Sequence, residues 1–365
     1  MFASIHRVVV SSLPGSLAAA AVGAGTLGPF GCGDEDEAEP SDGSPGSIPE
    51  NGATGGNGDG DGDGDGDGDG DGDGDGDGDG DGIAGCAILP PDNPWNTAIG
   101  GYDVHANSDA YIASIGVDTE LHPDFGTEWN NAPNGIPFVV VDGSQAVVPI
   151  SFEYADESDP GPYPIPPAAP IEGGPDGAGD RHILVLEREG CTLYEIFDAH
   201  TDDNGGSWTA GSGAVFNLNS NALRPDGWTS ADAAGLPVLP GLVTYEEVVV
   251  QRLIDHALRF TVQTSQRAYI HPATHFASGN TDPGTPPMGL RVRMKSDFDC
   301  SALSMEVQAI CTALKTYGMY VADNGNNWFI SGAPDPRWSD ENLADLAQIS
   351  GDAFEAVETG ALVTD

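Results

Sequence analysis

Two imidazoles and a guanidinium fall close together in the chain, in Asp255-His256-Ala257-Leu258-Arg259 and His271-Pro272-Ala273-Thr274-His275. An imidazole titrates near neutrality and can take a proton, while a guanidinium can stabilise a developing enolate. A polysaccharide lyase needs those two tasks, with His256 or His275 as base and Arg259 as cation. Hydrolysis of a glycosidic bond would instead need two carboxylates roughly 5–9 Å apart. Asp226 and Asp232 share one loop and are the first pair to consider, with Asp323 as the third carboxylate. The His-x3-His spacing of His271 and His275 would suit a metal only on a helix. Pro272 and the strand-like Ala268-Tyr269-Ile270 before it argue against one, so no metal or cofactor is assigned. Asp198-Ala199-His200 puts two polar side chains on one face of a strand end, either a carboxylate-oriented imidazole or simply a polar terminus. His182, at a strand start, reads as structural.

The standard nucleophile and nucleotide motifs are missing. Ser212 in Ala210-Gly211-Ser212-Gly213-Ala214 lacks the Gly-x-Ser-x-Gly spacing, and there is no His-Glu-x-x-His, Walker A or dinucleotide fingerprint. Polar-aromatic loops remain: Asn93-Pro94-Trp95-Asn96, Glu128-Trp129-Asn130-Asn131, Asp226-Gly227-Trp228 and Asp323-Asn324-Gly325-Asn326-Asn327-Trp328. Aromatic faces stack on the C–H surfaces of sugar rings, while Asp and Asn take the hydroxyls. Trp95, Trp129, Trp228, Trp328, Asp226 and Asp323 are therefore expected to line a glycan site. The opposing expectation is burial, since Trp is highly buried on average.

Short apolar runs bounded by Gly, Pro, Asn and Asp must position these groups, and they read as strands. They lie at 136–141, 146–154, 182–188, 192–198, 214–218, 257–264, 268–270 and 289–295. The runs at 182–188 and 192–198 form a hairpin, and those at 257–264 and 268–270 are expected to form another, carrying His275 back toward His256. Helices are expected at 244–255, at 304–317 (with Ser304 as cap, Met305, Gln308 and Thr312 on one side, and Gly318 as the stop) and at 340–348, capped by Ser339. Residues 156–179 read as a long irregular surface loop. The sum is one β-rich α+β domain over residues 84–362, with sandwich-like sheets and a few short helices.

Gly227-Trp-Thr-Ser-Ala-Asp-Ala-Ala-Gly-Leu-Pro, Asp255-His-Ala-Leu-Arg-Phe-Thr and Tyr317-Gly-Met-Tyr-Val-Ala-Asp-Asn-Gly resemble motifs of a largely uncharacterised family of secreted bacterial proteins. The resemblance spans nearly all of residues 86–358. It implies an exported domain of polysaccharide-rich settings and transfers no catalytic residue.

Charge narrows the partners. The chain carries 12 Lys+Arg against 58 Asp+Glu, a formal net charge of −46. The first 82 residues hold one base and 19 acids, leaving 11 bases, 39 acids and a net −28 for the rest. Such a surface repels phosphate backbones, so nucleic acid is excluded as a partner.

Residues 1–32 read as a lipoprotein-type export signal ending at Gly31-Cys32, with Cys32 as the lipidated residue, so membrane attachment would be through lipid only. Residues 33–83, with strict Asp-Gly alternation from Asp59, form a disordered acidic tether. Its Asp parity puts Gly at the twelfth position of every would-be EF-hand loop, where a carboxylate is required. Fifty such residues span roughly 40 Å as a coil. With Cys32 set aside, Cys86, Cys191, Cys300 and Cys311 suit two disulfides in an oxidising compartment. Cys300 and Cys311 are the natural local pair, although four cysteines admit three connectivities. The expected protein is a carbohydrate-active domain tethered to the outer surface or periplasmic face of a bacterial cell, a glycoside hydrolase or polysaccharide lyase acting on a polysaccharide. The rival is a non-catalytic lipoprotein module that binds glycan or protein. Convergence of Asp232, His256, Arg259 and His275 in one cleft favours the enzyme, and an exposed strip of Trp favours the module.

Overall fold

The computed structural model describes residues 82–364. The expected export segment, Cys32 and nearly all of the expected tether lie outside the described residues. The body is an α+β fold rich in short strands, and it is built on two main sheets.

The larger sheet has the order β1 (His122–Asp124), β14 (Phe329–Ser331), β10 (Leu258–Val262), β13 (Met319–Asn324), β12 (Arg291–Met294) and β15 (Phe354–Ala356). The second has the order β4 (Phe138–Val141), β6 (Ile183–Glu187), β7 (Thr192–Phe197) and β9 (Ser212–Asn217). Three two-stranded ribbons complete the set: β2 (Glu128–Trp129) with β3 (Ala132–Pro133), β5 (Ile150–Phe152) with β8 (Trp208–Ala210), and β11 (Tyr269–Ile270) with β16 (Leu362–Val363).

The hairpin β6–β7 forms as its sequence dictates, with Ile183 opposite Ile196 and Glu187 opposite Thr192. Strand β6 is apolar without alternation because both of its faces are buried. Leu184 and Leu186 join the main core, and Ile183 and Val185 join a smaller core with Tyr163, Ile165 and Trp208. Residues 156–179 are therefore not purely a surface loop, since Tyr163 and Ile165 are fully buried. The expected hairpin between 257–264 and 268–270 does not form. Strand β10 is buried on both faces and needs a neighbour on each side. It takes β13 in parallel and β14 antiparallel, while β11 pairs with β16.

Helix α2 (Met305–Thr316) buries Val307, Ile310, Cys311 and Leu314, a stripe of helical period. Of Met305, Gln308 and Thr312, expected on one side of it, Met305 and Thr312 are exposed and Gln308 is half-buried. Ser304 occupies the cap position, but its hydroxyl donates to the carbonyl of Asn342. Gly318 ends the helix at φ +68, where a Cβ would strike the carbonyl oxygen of Val292. Ser339 caps α3 (Asp340–Leu343) by accepting from the Asn342 amide. Two further findings concern helices. Ser108–Ile115 forms α1 on the buried Tyr111, Ile112 and Ile115, and the expected helix at 244–255 shrinks to a π-helical turn, Glu246–Gln251.

Cys86 is bridged to Cys191 and Cys300 to Cys311, with Cα–Cα distances of 5.5 and 6.5 Å. The bridges mark an oxidising, exported environment. Among the described residues no helix is long and apolar enough to cross a membrane. The Cys86 bridge spans 105 residues and the other 11, so loop entropy makes the first the stronger staple, about 4–5 against about 3 kcal/mol. Denaturant unfolding of the paired Cys→Ser variants should show the larger loss for Cys86/Cys191, and the reverse order would refute this account.

Candidate active site

Pairing in the larger sheet lines up polar groups that are far apart in sequence. Asp124 at the end of β1 stands opposite Ser331 of β14. The antiparallel register of β14 with β10, continued by one residue, puts Ser331 opposite Arg259. Arg259 Nη1 donates to Ser331 Oγ at 2.5 Å. Between Phe260 and Thr261 the register with β13 shifts by one residue, so Thr261 faces Asp323 instead of Ala322. Side chains alternate along a strand, so this bulge turns Asp323 onto the face that carries Arg259.

Asp232 approaches from the loop after β9. Its carboxylate takes both Nη2 (3.0 Å) and Nε (3.3 Å) of Arg259, and neither residue is more than 2% exposed. The loop is bonded to itself. Ser230 Oγ accepts from the Asp232 amide at 2.9 Å and donates to the carbonyl of Leu236 at 2.6 Å. Gly235 at φ +72 closes the turn, and a Cβ there would meet the carbonyl oxygen of Trp228 at 2.6 Å. The second sheet supports this loop from its far side. His182, just before β6, bonds the carbonyl of Ala231 through Nε2 (3.0 Å) and Glu172 through Nδ1 (2.6 Å). Glu195 of β7, fully buried, accepts from the amides of Val238 and Leu239 at 2.8 Å.

The electrostatics separate these groups. Burial, together with the charges of Asp232 and Asp180, pushes Asp323 up to about 8 against the pull of Arg259. Burial and the charge of Glu172 raise Asp124 to about 6, again opposed by Arg259. Asp180 is raised by the same desolvation. Asp124 and Asp180 nevertheless keep solvent-exposed side chains. Both carboxyls are thus reachable by water, although their surroundings disfavour the charged form. Burial also works to raise Glu172 and to lower His182, but their mutual attraction overrides it. Glu172 is held below the ordinary carboxylate range, and His182 is raised to about 10, an imidazolium that donates from both nitrogens.

Of the residues expected from sequence, Asp232, Arg259 and Asp323 meet. Asp226 does not join them. It is exposed and bonded to His271 Nε2 at 2.8 Å, and the carboxyl that hydrogen-bonds Asp232 is that of Asp323. His256 is buried elsewhere, with Nε2 on Glu247 (2.9 Å) and Nδ1 on the carbonyl of Ala257 (2.8 Å). The chain there is entering strand β10, in which positions three apart point to opposite faces, so His256 and Arg259 diverge. His275 does return to the Asp232 loop, but to its backbone, with Nδ1 2.8 Å from the carbonyl oxygen of Ala233 and Nε2 3.8 Å from Glu157.

The tryptophans divide. Trp95 and Trp328 are corrected to core residues, 1% and 0% exposed. Trp95 lies against Tyr320, and Trp328 is stacked between Phe260 and Phe354, because burying these large rings outweighs the polar neighbours that suggested a surface loop. Trp228 is half-buried under the Arg224 guanidinium. Trp129 is 63% exposed on the β2–β3 ribbon, whose turn residues Asn130 and Asn131 both have positive φ. The Cβ of Ala132 on that ribbon lies next to Gly174, two residues beyond Glu172.

Sequence reasoning missed Asp124, Glu172, Asp180 and Ser331. The available signal was a charged residue directly flanking an apolar strand, as in Asp180-Arg181-His182 before Ile183. Among the described residues no group of three His, Cys, Asp or Glu could hold a metal ion. No family model, no curated protein and no solved structure matches the chain.

Proposed function

We propose that the domain is an exported glycoside hydrolase that uses Asp323 as proton donor and Asp124 as base. The arrangement that supports this reading is the pair of carboxyls that strand pairing sets on either side of Arg259, with Asp323 pushed up to about 8 and Asp124 to about 6. At neutral pH Asp323 keeps its proton, held against Asp232, and can give it to a leaving glycosidic oxygen that replaces Asp232 as acceptor. Asp124 is then ionised and can take a proton from the attacking water. Arg259, fixed by Asp232 and Ser331, sets the charge balance between them. Trp129, 63% exposed, offers a ring face on which a sugar can stack. The lyase variant of the expectation fits less well, because His256 is bonded to Glu247 and polyuronates would meet a wall of carboxylates. A neutral or amino-bearing glycan suits that wall. Tethering through Cys32 and the Asp-Gly segment would hold the domain at the bacterial surface.

A polysaccharide panel read for new reducing ends tests the reading. Cleavage should follow a bell-shaped pH profile with limbs near 6 and 8. Asp124→Asn and Asp323→Asn should each lower kcat about 10²–10⁴-fold. Tight glycan binding without cleavage, lost in Trp129→Ala, would instead establish the non-catalytic module that the exposure of Trp129 also favours.

A further inference from the structure

One loop beside the Asp232–Arg259 cluster should not hold its own shape. Glu172-Gly173-Gly174-Pro175-Asp176-Gly177-Ala178-Gly179-Asp180 contains four glycines, and Gly173, Gly174 and Gly179 sit at positive φ. Such a segment loses much conformational entropy on ordering. Its own backbone bonds are few: Gly174 N to Ile171 O and Gly177 N to Gly174 O within the loop, and at its root Glu172 N to His182 O and Asp198 N to Asp180 O. Yet it presents both Glu172 and Asp180 to the site.

The compensating contact comes from the next residue. Arg181 is 7% exposed, and its Nη1 donates to the carbonyl of Gly177 at 2.7 Å and of Pro175 at 3.1 Å, with Gly174 at 3.5 Å. Its Nε donates to the carbonyl of Ala199 at 3.0 Å, on the chain just past β7. The guanidinium therefore lies inside the loop as a plug and ties it to the second sheet. The backbone at Arg181 is left-handed, φ 49, the turn that sends the side chain back over its own preceding segment while His182 faces the Asp232 loop.

We propose that Arg181 is a positioning residue of the site, folding the glycine-rich loop so that Glu172 reaches His182 and Asp180 reaches the carboxylate wall. The proposal deepens the reading of this cluster as a hydrolytic site, but the loop geometry it concerns does not depend on the reaction. Removing the guanidinium leaves the Pro175 and Gly177 carbonyls without their side-chain donor, and the loop joined to the chain past β7 only by backbone bonds at Asp180 and Arg181. Glu172 then leaves His182, whose raised titration depends on it.

Amide hydrogen exchange and NMR titration of His182 in the exported, disulfide-bonded protein test this without a substrate. Arg181→Asn removes the guanidinium while keeping a residue that tolerates left-handed backbone. Arg181→Lys keeps the charge but not the fork that reaches two sides at once. In Arg181→Asn, exchange at 173–179 should rise at least tenfold with the β6–β7 core unchanged, and His182 should titrate well below its wild-type value. Arg181→Lys should fall between the two proteins. Unchanged exchange and unchanged His182 titration in Arg181→Asn would overturn the proposal. With a cleaved glycan in hand, kcat should fall more than KM rises. If no glycan is cleaved, the hydrolase reading fails while the exchange and titration results still decide the role of Arg181.

Discussion

Replacing Arg259 by Met should destabilise the domain by about 3–5 kcal/mol at pH 7, enough to leave much of it unfolded at physiological temperature. The guanidinium satisfies both oxygens of Asp232, which has no solvent exposure, and also anchors Ser331. Without it a carboxylate is buried with only the weaker pull of the His182 imidazolium as counter-charge, beside a second carboxyl at Asp323 that burial and mutual repulsion already push up to about 8. Asp232 can then remain folded only by taking up a proton. The loss should therefore be larger at pH 8 than at pH 5, because protonating a carboxylic acid becomes harder as pH rises. The double variant Asp232→Leu with Arg259→Met removes both charges and should recover most of the loss, since a buried pair is seldom better than apolar packing. Denaturant melts of the single and double variants decide the matter. A single-variant loss under 1 kcal/mol would show that Arg259 is not the charge that holds this centre together.

Thermal stability should peak near pH 5 and fall through pH 8. Glu195 is raised from 4.5 to about 7, by burial against the two amides it accepts from. Asp323 rises to about 8 and Asp124 to about 6. A carboxyl raised on folding binds more protons in the native chain than in the unfolded one, so its contribution declines as pH climbs from its unfolded to its folded value. His182, raised to about 10, acts in the same direction: its stabilisation is full below 6.5 and is lost as pH rises toward 10. Below about pH 4.5 the opposite set takes over. Glu172 and Glu247 are held low by their imidazolium partners, and their contribution disappears as acid protonates them. Glu195 alone should contribute about 3 kcal/mol to the decline between pH 5 and 8, or roughly 5–10 °C in Tm for a domain of this size. Calorimetry from pH 4 to 9 measures it, with Glu195→Gln as the control that should flatten the curve. A Tm that rises from pH 5 to 8 would contradict the assignment.

The larger features of this molecule were legible because their signals are local. The hairpin β6–β7 announces itself in two apolar runs around Glu189-Gly190. Helix α2 is marked by its helical spacing and by Gly318, and the pairing of Cys300 with Cys311 is suggested by proximity along the chain. Polar residues inside otherwise apolar stretches, Asp232 and Arg259, were also visible as candidates, although their ion pair was not. The net charge of −46 argues against a nucleic-acid partner from composition alone.

Tertiary structure alone decided the rest. The expected partner of Asp232 was Asp226 in the same loop, but the partner is Asp323, which reaches it only through a one-residue shift between β10 and β13. Asp124 joins because β1 lies beside β14, and Glu172 because a glycine-rich loop is held by Arg181. Trp95 and Trp328 looked like sugar platforms for the same reason that misled the histidines: polar neighbours in sequence were read as neighbours in space. Local periodicity states which face a side chain takes relative to its own strand. Strand order, register and bulges then determine which faces meet, and these follow from burying the whole apolar surface at once, a quantity that no short stretch of residues contains.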